Sequence, residues 1–129
     1  MNTTKPLEAD RGSASVAMAI TFPAVGLLFL TLVQAVMVSV ARDVALAAAE
    51  EGLRVARAQH STPAQGRAAA VSFARHEPVL HAPTVSVSGT TDIAVRVTGD
   101  APSIVPGIHI GIGRTARGVR EHFSTPGPS

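Results

Sequence analysis

The chain has 129 residues, enough for one domain, and carries 11 Lys and Arg against 9 Asp and Glu, for a net charge of +2, with no cysteine. Near balance of charge argues against a nucleic-acid partner, which needs clustered basic residues and, for single strands, interleaved aromatics; here the one basic cluster is Arg114, Arg117 and Arg120, and the aromatics are Phe22, Phe29, Phe73 and Phe123. The lack of cysteine excludes a disulfide framework and a thiolate metal site.

From Gly12 to Ala41 no residue is charged. About 30 helical residues reach ~45 Å, whereas a bilayer core of ~30 Å needs about 20. The run is long enough to span, with a surplus that tilts or emerges. Phe29-Leu30-Thr31-Leu32-Val33 is its apolar heart, and Gln34 is its most polar interior residue. Pro23 removes a backbone donor and is expected to kink the helix, which neighbouring helices tolerate in a membrane. A secretory signal peptide is the competing reading, with Ser39 and Ala41 as the small residues before a cleavage point. A signal core is about 7–15 residues, however, and this run is roughly twice that. Flanking charge does not orient the span: Lys5 and Arg11 are offset by Glu8 and Asp10, while Arg42, Arg54 and Arg57 follow on the other side. With the run in lipid, fewer than about 90 residues remain for a soluble core, which is marginal without outside support.

Arg42 to His60 is expected to continue the helix straight out of the span. Glu50 and Arg54 stand in the favourable i,i+4 order. Ala41, Ala45 and Ala49 form one row of small residues, and Ala48, Gly52 and Ala56 another. Small residues four apart permit close approach of helices, although alanine is also simply a good helix former. Gly52 costs helix stability and so favours the packing reading. Ser61-Thr62-Pro63 then breaks the chain. Thr62 suits an N-cap, Pro63 the first helical position, and Gln65 the reciprocal capping-box position, so a second helix runs from Pro63 to His76, ending before Pro78.

After Pro83 the period changes to two. Val85 and Val87, then Ile93, Val95 and Val97, alternate with polar or small residues around a turn at Gly89-Thr90-Thr91-Asp92, which predicts a β-hairpin with one apolar face. A hairpin is not stable alone in water, so that face should pack on the helix of residues 63–76 or on the stem above the membrane. Gly99 to Gly107 reads as a crossing loop or a short helix. The alternation of Ile108, Ile110 and Ile112, interrupted by glycines, fits strand or loop. Thr115 to Phe123 reads as another strand, and residues 124–129 as a disordered tail.

Residues that could carry chemistry do not assemble into a pattern. No pair among His60, His76, His81, His109 and His122 has a zinc spacing with a third ligand. The glycines at 107, 111 and 113 fail the dinucleotide fingerprint, because Ala116 takes the last glycine's place, and no Lys follows for a phosphate loop. Glu50 and Glu51 are adjacent, so they point to different helix faces and form no carboxylate dyad. No catalytic residue, metal or cofactor is expected, and the chain is not expected to be an enzyme.

One junction is more specific. Asp10-Arg11-Gly12-Ser13-Ala14-Ser15-Val16 places a short hydrophilic leader ending in Gly directly before the apolar helix. It resembles a type IV or class III prepilin cleavage site. The wider run, through Met18-Ala19-Ile20, Pro23 and Val33-Gln34-Ala35, then Arg42-Asp43-Val44-Ala45-Leu46-Ala47-Ala48-Ala49, Glu51-Gly52 and Arg54-Val55-Ala56-Arg57, is similar to the TadE-like pseudopilins of actinobacterial Tad (tight adherence) pilus loci. Val97-Thr98-Gly99, Ala101-Pro102-Ser103 and Val105-Pro106-Gly107 also look familial, so the likeness covers roughly residues 10–123.

The resemblance implies that a membrane prepilin peptidase cuts between Gly12 and Ser13. It implies a minor pilin held in the lipid bilayer of the cell membrane by a single pass, with its N-terminus cytoplasmic and its C-terminal domain extracytoplasmic. The partners it implies are a second pseudopilin, the major Flp pilin, and the Tad inner-membrane platform with its ATPase. The family usually has Glu at the fifth position after the scissile Gly; here that position is Ala17. An unprocessed bitopic protein whose outer domain binds an envelope partner is the alternative. The expected architecture is α+β: a leader (1–12), a transmembrane helix (13–41), and an outer domain (42–123) in which the continuing helix is followed by a short helix and a small antiparallel sheet.

Overall fold

The computed structural model describes residues 5–122 and residue 127. Residues 1–4 of the expected leader, Phe123, and the expected tail apart from Gly127 lie outside the described residues. Five elements follow in order: α1 (Lys5–Arg57), α2 (Pro63–His76), β1 (His81–Ser88), β2 (Asp92–Ala101) and β3 (Ile110–Val119). The three strands form one antiparallel sheet in the order β1-β2-β3. This is the expected α+β class, with a long first helix, a short second one and a small sheet.

The chain forms two compact units, Met1–Ala35 and Val36–Ser129. Among the described residues the first unit is helix alone. Pro23 lies inside α1, and the helix runs past it without a break. In the second unit α1 ends at Arg57, three residues earlier than the composition suggests. His60 adopts a left-handed φ of 67°, and the Ser61 hydroxyl donates to the carbonyls of Ala58 (2.8 Å) and Ala56 (3.1 Å). Those bonds satisfy carbonyls that a helix end leaves open. The chain re-enters helix at Thr62, whose hydroxyl accepts from the Gln65 amide at 3.3 Å while the Gln65 side chain accepts from the Thr62 amide at 2.9 Å. Both arms of the expected capping box are present, and α2 has the expected bounds.

The hairpin register puts Val85 opposite Val97 and Val87 opposite Val95. Val85, Ile93, Val95 and Val97 are buried, and Val87 is half-buried against them. The turn rests on Gly89, whose φ of 94° suits glycine. The strands are longer than their valine alternation implies. Strand β1 begins at His81, and its register shifts between His81 and Thr84 around Ala82, which has a φ of 46°. Pro83 is tolerated because β1 is an edge strand. Strand β2 continues through Gly99 to Ala101, which pair with Ile112 and Ile110 of β3; the Leu80 side chain fills the space beside Gly99, where a Cβ would stand 2.8 Å from Leu80 Cδ1. Strand β3 starts at Ile110 and stops at Val119, where Thr115 to Phe123 was expected. Ile112 and Ala116 face the core, while Gly111, Gly113 and Thr115 pair with Asp100, Thr98 and Arg96 on the solvent face. The interrupted isoleucines are thus strand, their alternation set by pairing with the lengthened β2.

Both helices cover the other face of the sheet. Alanines and valines dominate this core, and Val95 and Val97 are its largest fully buried side chains. Three contacts set how α1 lies on the strands. Arg57 Nε donates to the Val119 carbonyl at 2.7 Å. A Cβ at Gly118 would meet Arg57 and Leu53, and one at Gly52 would meet Val95. Moving back along α1 therefore moves back along β3, toward Ile110. Ala41 precedes Gly52 by about 16 Å of helix, equivalent to about five strand residues. That brings it level with the end of β2, where Ala101 is buried in the same core.

Candidate functional site

The site begins with the apolar part of α1. From Gly12 through Leu32 every described residue is exposed, Phe22 at 80% and Leu28 at 71%. Large exposed apolar areas mark interaction with lipid or protein. α1 is the one described helix long and apolar enough to cross a membrane. Its interior polar groups are few. The Thr31 hydroxyl is satisfied by the Leu27 carbonyl at 2.8 Å, and Gln34 also makes a polar contact. Gly12 and Ser13 lie within the helix, exposed, and nothing stands within 4 Å of where a Gly12 Cβ would be. Ala17 and Pro23 are likewise exposed on α1.

The stem follows at Arg42. Both expected small-residue rows are buried: Ala41, Ala45 and Ala49 in one, and Ala48, Gly52 and Ala56 in the other. The packing reading of Gly52 is correct, and its partner is Gly66 on α2. A Cβ at Gly52 would stand 2.7 Å from Ala70 Cβ and 2.9 Å from the Gly66 carbonyl oxygen; one at Gly66 would stand 2.6 Å from Ala56 Cβ and 2.9 Å from the Gly52 carbonyl oxygen. The helices thus touch backbone to backbone. Gly66 carries the same signal as Gly52, a glycine inside a helix where it costs stability, and sequence reasoning passed over it.

At the far end of the stem, Arg57 and Arg120 tie the helices to the sheet. Arg120 Nη2 donates to the Ser61 carbonyl at 2.6 Å, and the Glu121 amide donates to the Arg57 carbonyl at 3.3 Å. No local pattern announces these contacts, because their partners lie about 60 residues apart in sequence. The ion pair on α1 also differs from expectation. Arg54 pairs with Glu51 rather than Glu50, through Nη2 at 2.7 Å and Nε at 2.9 Å. Residues three apart are as near as residues four apart on a helix, and Glu51 offers both oxygens to the guanidinium fork. The Arg54 hydrogen bonds hold the Glu51 carboxyl below its usual range.

Among the described residues, no group of three or more His, Asp or Glu side chains is placed to hold a metal ion, and no polar or charged residue is buried. The arrangement of the described residues offers apolar contact and helix packing. Comparison with family models, with curated proteins and with solved structures returns no match. The functional reading therefore rests on the chain's own residues.

Proposed function

We propose that the chain is a membrane-anchored minor pilin, a pseudopilin of TadE-like type, that takes part in assembly of a Tad (Flp-type) pilus and has no catalytic role. The observation that carries this reading is the continuity of α1: one helix is exposed and apolar over its first part and packed into a small α+β domain over its last. Such a helix can pass from lipid to a bundle of like helices, because both surroundings are apolar and association is decided by packing. In this reading the N-terminus is cytoplasmic and residues 42–123 are outside the membrane. A prepilin peptidase removes the leader. A second pseudopilin, the major Flp pilin and the inner-membrane platform are the partners.

The test is the mature N-terminus of protein extracted from membranes, read by mass spectrometry. Ser13 is the expected first residue. A chain beginning at Met1 would mean an unprocessed bitopic protein, and one beginning at Arg42 an ordinary signal peptide.

Ala17 leads to a second expected outcome. A carboxylate about one turn inside a membrane helix is costly, a cost that reaches about 2.5–3.5 kcal/mol near the centre, and in pilins that this chain resembles the freed N-terminal amine of a subunit compensates it. With Ala17 the chain inserts without that cost and docks into a filament without that pairing, which suits a place at the base or tip, or beside a second pseudopilin that supplies the carboxylate. Position 17 is exposed, so Ala17→Glu should raise recovery with sheared pili and leave total membrane abundance similar. Abundant wild-type protein along sheared filaments, with no gain from the substitution, would show that this pairing does not limit assembly.

A further inference from the structure

We infer that the loop of residues 102–109, between β2 and β3, is a second membrane contact: its apolar side chains rest in the lipid headgroup and acyl boundary beside the point where α1 emerges. The inference rests on the reading of α1 as a membrane anchor. Its first support is position. The loop joins Ala101 to Ile110, which pair at the end of the sheet level with Ala41, and Val38 and Ile110 both pack against the same core. In this unit the exposed apolar surface of α1 is still present at Val36, Met37 and Val40, and the first charge is Arg42. The loop therefore projects past the end of the sheet toward the level at which the helix becomes apolar.

Composition is the second support. Among the described residues after Val40, the large apolar side chains that remain exposed are Phe73, Ile104, Val105, Ile108 and Val119. Three of these five belong to this one loop, with Val105 53% and Ile108 52% exposed. No residue from Ala101 to Gly113 is charged, and such a stretch is poorly suited to water but suited to an interface. The Ser103 hydroxyl accepts from the Val105 amide at 3.2 Å, and the Ile108 amide donates to the Val105 carbonyl at 3.3 Å. Those local bonds satisfy part of the loop's own backbone, as a segment leaving water requires. Lipid is the occupant because the same unit carries the exposed apolar residues Val36, Met37 and Val40 of α1, which in the anchor reading leave the bilayer just before Arg42.

The chain has no Trp or Tyr, so one introduced indole reports its own surroundings. Full-length Val105→Trp, Ile108→Trp, Phe29→Trp and Thr90→Trp would be reconstituted singly into phosphatidylcholine–phosphatidylglycerol vesicles, with and without acyl-brominated phosphatidylcholine. Phe29 marks the span, and Thr90 sits in the hairpin turn at the opposite end of the sheet. Interfacial segments sit about 5–10 Å into the headgroup and acyl boundary, so brominated lipid should cut emission from positions 105 and 108 about twofold or more, and leave position 90 unchanged. Quenching at 29, with 105 and 108 behaving like 90, overturns the loop contact and leaves the anchor reading standing. Blue-shifted emission at 105 and 108 without quenching means protein covers the loop, which also overturns it. No quenching at 29 removes the anchor reading and the loop contact together.

Discussion

Val95→Asp should unfold the domain of residues 36–122 while leaving the apolar first part of α1 helical. Val95 is fully buried on the central strand, opposite Val87 and Ala116 and beneath Gly52 of α1. No described charged side chain is buried there to pair with a new carboxylate, and an unpaired buried ion costs several kcal/mol even after relaxation. Whole domains are stable by only about 5–15 kcal/mol, and one this small stands at the low end. The measurement is limited proteolysis of the detergent-solubilised full chain beside Val95→Ala, which removes two methyl groups at about 0.8 kcal/mol each plus a cavity term. The Ala variant should melt earlier but cooperatively, and the Asp variant should be cut under conditions that spare the wild type. Burial would raise the introduced carboxyl's folded-state pKa above its unfolded value of about 3.9, so the loss is greatest above the raised value and shrinks as pH falls toward about 4. Protease resistance equal to wild type at neutral pH would mean that this face of the sheet is not buried.

Gly66→Val and Gly52→Val should be the most damaging helix substitutions. Both positions lie where α1 and α2 meet through backbone, and the obstructing atoms include main-chain carbonyl oxygens, which cannot rotate away. Alanine at either site returns about 1 kcal/mol of helix propensity, against an overpacking cost of about 1–3 kcal/mol. Each Ala variant is therefore expected to melt lower than wild type, and each Val variant lower still. Gly26→Ala is the control, because nothing stands within 4 Å of a Cβ there, and it should not lower the domain's melting temperature. The two sites share one contact, so Gly52→Ala and Gly66→Ala together should cost less than the sum of the singles, since the helices separate once. A gain in stability from either Ala would show that the glycines are tolerated rather than required, and strict additivity that the two sites do not share one contact.

Much of the fold is legible in local signals. The uncharged run from Gly12 to Ala41 identifies a helix long and apolar enough to cross a membrane, since its length is set against a fixed bilayer thickness. Thr62, Pro63 and Gln65 place the start of α2 because capping is completed within one turn. Period-two valines around Gly89 define the hairpin and its buried face, because side chains alternate along a strand whatever they pack against. Gly12, Ser13 and Ala17 are distinguished by the sequence alone, as all three are exposed on α1.

Tertiary structure decided what depends on a partner distant in sequence. The partner of Gly52 and the purpose of Gly66 appear only when the two backbones are brought together. Gly99 belongs to a strand because it pairs with Ile112 of β3, and the glycines at 111 and 113 because they pair with Asp100 and Thr98 of β2. Arg57 and Arg120 carry no signal of their own, since the carbonyls they reach belong to Val119 and Ser61. Arg54 could reach either glutamate, and the carboxylate that meets the guanidinium with both oxygens is that of Glu51. Periodicity and capping are properties of neighbouring residues, so the chain carries them along its length; a glycine's purpose and a cation's acceptor exist only once the helices lie on the sheet.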